Sequence, residues 1–253
     1  MTGGVAMVMP MAGRGSRFAR EGIMVPKPLV DLAGKPFFWW ATESVRRAAR
    51  LREMAFVVLE EHVRDFAIDR RVHEYYPEAR IVAIPQVTSG AAETAKIGVE
   101  ALRTPGPVAV NDSDHAFACP DLAPTVDALG RTLDAALLCF ASDNPAYSYV
   151  RLDEAGGVAG TVEKQVASPY AIAGCYMFAD PAQFLVFYEE YQADCPYDEL
   201  FVSGLYNLLA GRGGRIGKMM AARHVSFGTP EELSRVDPAS LGTGPDWLGS
   251  QPG

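Results

Sequence analysis

Two glycines, an arginine and a lysine lie close together near the N-terminus, in MAGRGSR (11–17) and VPKPL (25–29). They follow VAMVM, an apolar run of the kind that forms a buried strand. Gly13 and Gly15 lack side chains that would hold an anion away from the backbone, and glycine adopts angles closed to other residues. Successive peptide N–H groups in such a turn form an anion-binding nest. Arg17 can fork onto phosphate oxygens and Lys27 supplies a compact charge. Pro26 and Pro28 stiffen the backbone around Lys27. The chemistry these residues suit is the grip of a polyphosphate, and the alternative for the glycines is an ordinary structural turn. Phe18 stands where a dinucleotide fingerprint needs its third glycine, and no Gly-Lys-Ser/Thr of a P-loop follows. Glu60, the first acidic residue closing the second strand, is also much farther from the turn than the ~20 residues of that fingerprint.

The surrounding pattern says what must position these groups. Apolar runs at 5–9, 54–61, 80–85 and 107–112 read as strands, separated by helical stretches at 36–52, 63–76 and 88–102. Strands so continuously apolar suit a parallel sheet covered on both faces, and the alternation is that of an α/β protein. After about Asp134 the rhythm changes. AALLCFAS, YSYVRLDEAGGVAGTVEK and YAIAGCYMF read as further strands with a turn at DEAGG, followed by helices at 180–193 and 198–211 and a late strand at 214–221. In such sheets ligands sit beyond the carboxyl ends of the strands, where the glycine turn falls. The expectation is one catalytic domain over 1–235 and a Gly/Pro-rich tail over 236–253 that frays. The aromatic run PFFWW (36–40) reads as core at helix spacing, with a self-association surface as the alternative.

The chain has 253 residues, 49% hydrophobic, enough for a full core. Its formal charge of −8 argues against general nucleic-acid or anionic-membrane binding, which needs a basic face. No apolar run approaches the ~18 residues of a membrane span, and the N-terminus lacks the basic region and cleavage site of a signal peptide. Cys119, Cys139, Cys175 and Cys195 form no C-x-x-C pair and read as free thiols in a reducing cytoplasm.

The motifs Gly13, Gly15, Ser16, Arg17, then Pro26-Lys27-Pro28, then Gly34-Lys35-Pro36 together resemble the signature of the sugar-1-phosphate nucleotidyltransferases, the nucleotide-sugar pyrophosphorylase superfamily. Ala12 stands where many members carry the first glycine of the turn. The resemblance runs from Val5 to about Leu233 and implies a Rossmann-like, mixed but mainly parallel sheet flanked by helices. It implies that Ala12, Gly13, Gly15 and Ser16 bind the nucleotide, and that Arg17, Lys27 and Lys164 carry the catalytic charge. Gln86 and Gly90 match the segment that reads the nucleobase; an amide can pair with a base edge, and a glycine lets a ring approach the backbone. In NDSDH the resemblance assigns Mg²⁺ to Asp114, with Asp112 as the neighbour that helps or substitutes. Magnesium needs only one or two carboxylates beside phosphates and waters. Glu163, Lys164, Gly174 and Tyr176 match the acceptor segment, Glu163 for hydroxyls and Lys164 for the acceptor phosphate, with Gln165 in place of the usual proline.

Ser226 departs from the pattern at the position where many members carry a second metal ligand. The implied partners are an NTP, with pyrimidines favoured, and a phosphorylated small-molecule acceptor, in a monomer or a homo-oligomer. The departure keeps two alternatives open. One is a non-sugar acceptor such as a phosphorylated amino acid, polyol or choline-like alcohol. The other is a non-catalytic nucleotide-binding homologue.

Overall fold

The computed structural model describes residues 3–237 and Leu241. The expected tail therefore lies almost wholly outside the described residues. In chain order the first half forms β1 (Val5–Pro10), α1 (Ser16–Arg20), a hairpin of β2 (Asp31–Leu32) and β3 (Lys35–Pro36), α2 (Phe37–Ala48) and β4 (Leu51–Leu59). It continues with α3 (Glu60–Phe66), α4 (Ile68–Tyr75), β5 (Arg80–Ile84), α5 (Ala91–Glu100) and β6 (Val108–Asn111). The second half carries β7 (His115–Ala118), α6 (Leu122–Ala128), β8 (Ala135–Ala141), β9 (Ser148–Leu152), β10 (Val158–Glu163) and β11 (Tyr170–Phe178). It ends with α7 (Pro181–Ala193), α8 (Leu205–Gly211), β12 (Ile216–Met220), β13 (Arg223–Ser226) and α9 (Pro230–Arg235).

The main sheet runs β5-β4-β1-β6-β11, with β8 and then β12 beyond β11. β5, β4, β1 and β6 are mutually parallel, and β12 is parallel to β8. Only β11 runs against its neighbours β6 and β8 in this row. β9 and β10 branch off the first half of β11 as an antiparallel hairpin. The sheet is mixed and mainly parallel, as the alternation of apolar runs predicts. Side chains of a strand alternate between faces. Val5, Met7 and Met9 therefore enter the core under α2, while Val8 enters the core under α5, α7 and α8. Phe37, Phe38, Trp39 and Trp40 are all buried, which settles PFFWW as core rather than a surface for self-association. The four cysteines are free thiols, three of them buried. Among the described residues no helix is long and apolar enough to cross a membrane.

Several boundaries differ from the periodicity. The helix expected over 36–52 stops at Ala48, because Arg50 onward is taken by the sheet: the Val5 N–H donates to the Arg50 carbonyl at 2.9 Å. Tertiary pairing overrides the local preference there. The helix expected over 63–76 begins at Glu60 and is broken into α3 and α4 at Ala67, whose φ of 49° interrupts the helical turn. The helix expected over 198–211 starts as a 3₁₀ turn at Val202–Gly204 and becomes α-helical only from Leu205. The small antiparallel pair β7–β13 is not legible as strands at all. Its segments are four residues each and follow a polar loop and a turn, so no period-2 pattern accumulates.

Candidate active site

The glycine turn leaves β1 at the carboxyl end of the parallel strands. Ala12 is buried, and the Met11 N–H donates to the Val57 carbonyl at 2.8 Å, so the turn is tied to β4. Gly15 is left-handed at φ 60°, and a Cβ there would meet the Lys27 Cβ at 3.1 Å. That close approach is the physical need for glycine at 15. At Gly13 the space around a Cβ is open. Lys27 starts a 3₁₀ turn over Lys27–Leu29, closed by the Leu29 N–H on the Pro26 carbonyl at 2.8 Å. The Gly34-Lys35-Pro36 motif lies elsewhere. It builds the β2–β3 hairpin, and Lys35 sits over the rings of Trp39 and Tyr75 at 5.2 and 4.9 Å.

Two of the cavities at this rim share much of their lining. One, of about 480 Å³, is lined by the glycine turn, Ser16, Val87, Thr88 and Gly90. The other, of about 350 Å³, is lined by Glu163, Lys164, Gly174, Tyr176, Tyr147 and Ser226. Arg17, Lys27, Asp112 and Asp114 line both. Every residue expected at the site therefore faces one of two joined spaces except Gln86, which is exposed and lines neither. Gly90 borders the first cavity, and its missing Cβ also serves packing. A methyl there would stand 2.5 Å from the Leu200 nitrogen, and the Ala92 N–H donates to the Leu200 carbonyl at 2.8 Å. The chain passing over it is by itself a reason for glycine here.

Where the cavities meet, the Lys27 ammonium donates to Asp114 Oδ2. Burial pushes the Asp114 carboxyl upward, but the charge and hydrogen bond of Lys27 outweigh it and the group stays below its ordinary value. Asp112 is driven the other way, by burial first and then by the charges of Asp114 and Glu163. Both carboxylates are flanked by glycine. A Cβ at Gly174, itself at φ 72°, would stand 2.8 Å from Asp112 Oδ2, and one at Gly228 would stand 2.6 Å from Asp114 Oδ2. Behind them His115 is 3% exposed and neither ring nitrogen has a hydrogen-bond partner. Burial holds it down to about 4. Two neighbouring carboxyl groups, each flanked by a glycine that leaves room beside it, fit a hydrated divalent cation that displaces the Asp112 proton and the Lys27 contact. Among the described residues no three His, Cys, Asp or Glu side chains stand together as a direct metal cage. Ser226 is the register partner of His115 across β13 and β7.

The wall of the second cavity is assembled from distant segments. Ser148 Oγ donates to Glu163 Oε2 at 2.7 Å, and Ser203 Oγ donates to Glu163 Oε1. Lys164 has φ 53°, in the left-handed region where a non-glycine residue costs about 1–2 kcal/mol. Its N–H donates to the Tyr147 carbonyl at 3.1 Å, and its ammonium lies 5.5 Å from the centre of the Phe201 ring. The Tyr147 hydroxyl donates to Glu232 Oε1 at 2.5 Å, and Glu232 closes a capping box with Thr229 at the start of α9. Ser148, Ser203, Tyr147 and Glu232 carry no signal in the sequence. Each is an ordinary polar residue until the fold brings it to the wall.

A mainly parallel α/β sheet with a glycine turn, cations and carboxylates at its carboxyl rim defines a nucleotide-handling architecture. No family model and no curated protein matches the chain. Among solved structures it is similar to a nucleoside-diphosphate-sugar pyrophosphorylase from Vibrio cholerae RC9, with 25% identity, a TM-score of 0.78, and 90% of this chain and 98% of that chain covered. It is also similar to the inositol-1-phosphate CTP transferase from T. maritima, with 15% identity, a TM-score of 0.75 and 96% of each chain covered. The chain has the fold of the sugar-phosphate nucleotidyltransferases, as its motifs imply.

Proposed function

We propose that this chain transfers a nucleotidyl group from an NTP to a phosphorylated acceptor of the sugar 1-phosphate class, releasing pyrophosphate. The observation that carries this reading is the sharing of Arg17, Lys27, Asp112 and Asp114 by two cavities. Such a junction suits a reaction in which two anionic substrates meet. An acceptor phosphate oxygen forms a bond to the α-phosphorus as the bond to the β-phosphate oxygen breaks. The electron pair leaves with pyrophosphate. A phosphate dianion is already nucleophilic, so the protein's work is positioning and charge stabilisation.

The glycine turn and Ser16 hold the triphosphate, and Arg17 stabilises the leaving pyrophosphate. Lys164 receives the acceptor phosphate, and Lys27 lies between the two substrates. At ~4 Å two like unit charges repel by ~4 kcal/mol at an effective dielectric near 20, so several cations are needed at the junction. Glu163, oriented by Ser148 and Ser203, accepts hydrogen bonds from acceptor hydroxyls. Mg²⁺, held by Asp114 with Asp112, would supply charge neutralisation at the α-phosphate.

Ser226 on the acceptor wall favours a second reading, a non-sugar phosphorylated acceptor. The likeness to an inositol-1-phosphate CTP transferase supports a cyclic polyol. The test is a matrix of NTPs with Mg²⁺ against sugar 1-phosphates, polyol phosphates, phosphocholine and phosphorylated amino acids, read as pyrophosphate. Release with one NTP–acceptor pair and loss of metal response in Asp114→Asn are expected. Silence across the whole matrix removes the enzymatic reading.

A further inference from the structure

The Lys27 ammonium already has an anionic partner within the chain. It donates to Asp114 Oδ2, and both side chains are largely shielded, at 24% and 28% exposure. The backbone fixes this placement. Lys27 opens its 3₁₀ turn with prolines on both sides, and its Cβ rests against Gly15. The carboxylate it occupies is the one that nucleotidyl transfer assigns to a divalent cation.

The competition is unequal before nucleotide arrives. The protein offers a bare cation two carboxyl groups, Asp112 and Asp114, and no cluster of three or more His, Cys, Asp or Glu among the described residues. One of the two already has a counter-charge held by the chain itself, with no ordering cost left to meet. Magnesium-like ions dehydrate reluctantly and bind through one or two carboxylates plus substrate phosphates. A triphosphate changes both sides of the balance. It gives the ammonium a new anionic partner and supplies the missing oxygens.

We infer that Lys27 is a built-in counter-ion for the Asp112–Asp114 pair, so that a divalent cation enters this site together with the nucleotide and not before it. The inference rests on the nucleotidyl-transfer reading for the identity of the incoming anion. By linkage, nucleotide and cation then raise each other's affinity through one side chain. The device also keeps the carboxylates from repelling an incoming polyanion.

The test titrates Mn²⁺ into the folded, nucleotide-free chain, read by the paramagnetic signal of free Mn²⁺. Wild type, Lys27→Met, Lys27→Gln and the double variant Lys27→Met/Asp114→Asn are compared, each checked by its melting curve. Removing the ammonium should tighten Mn²⁺ binding at least ~10-fold in both single variants, the size expected for lifting a like charge a few ångströms away. Adding Asp114→Asn should abolish the gain. Equal affinity in wild type and the single variants overturns the inference, and so does a gain that survives loss of the Asp114 carboxylate. No NTP or acceptor is present, so the titration gives its result even if the chain transfers nothing. Conversely, an active enzyme with an indifferent Lys27 would keep the function and lose the counter-ion.

Discussion

The first cavity takes Ala12, Gly13, Gly15, Ser16, Arg17 and Lys27 from one stretch of chain, whereas the far wall of the second gathers residues from Tyr147 to Glu232. The first is anchored by parallel strands: β1 between β4 and β6, with the turn tied to Val57. The second hangs on the antiparallel branch β9–β10, the small β7–β13 pair and the start of α9. A local wall can be built by short-range rules of turn and strand. An assembled wall depends on contacts such as Ser148 and Ser203 on Glu163, 15 and 40 residues apart in the chain. The two therefore differ in how a substitution should register, as lost charge on one side and lost alignment on the other.

The largest expected effect lies where the walls meet. Arg17 is exposed and lines both cavities, so Arg17→Ala should lower kcat by at least ~100-fold, the usual size for losing a transition-state charge contact. The melting temperature should hardly move. Near-normal turnover would take Arg17 out of the catalytic machinery.

The next effect separates the walls. Glu163→Gln should raise the KM for the acceptor by ~10-fold, the loss of a charge-assisted hydrogen bond. The KM for NTP should stay within about twofold of wild type, since Glu163 faces only the acceptor-side cavity. Equal losses for both substrates would mean that the walls are not separate subsites.

A pH series probes the stability of the second cavity's wall. His224 stacks on Phe140 at 4.1 Å and lies 5.8 Å from His115, and burial, then the neighbouring imidazole, holds it down to about 3. Its folded value is below its ordinary one, so the stabilisation is complete above pH ~6.5 and is lost as pH falls toward 3. The melting temperature should fall between pH 7 and 5, and His224→Gln should flatten the fall. An unchanged slope would show that the imidazole does not set it. The smallest effect is expected at Gln86→Ala, less than about threefold on kcat/KM for NTP, because this side chain is exposed and outside the cavity wall. A loss of 100-fold would assign it to base recognition.

Legibility followed the same division. The parallel half could be read strand by strand, because buried parallel strands are continuous apolar runs. The DEAGG turn between β9 and β10 could also be read, and Asp153 does accept from the N–H groups of Ala155 and Gly157. β7 and β13 could not, being too short to show a period. The break at Ala67 carries no glycine or proline to announce it.

By itself the sequence determined a mainly parallel α/β sheet and a cationic glycine turn at its rim, since strand periodicity and backbone freedom are local properties. Only the tertiary structure decided that Lys27 rests on Asp114, that Gly90 makes way for Leu200, and that two serines aim Glu163. Those outcomes depend on which distant segments share a few ångströms of space, and side-chain chemistry read along a chain does not contain that distance.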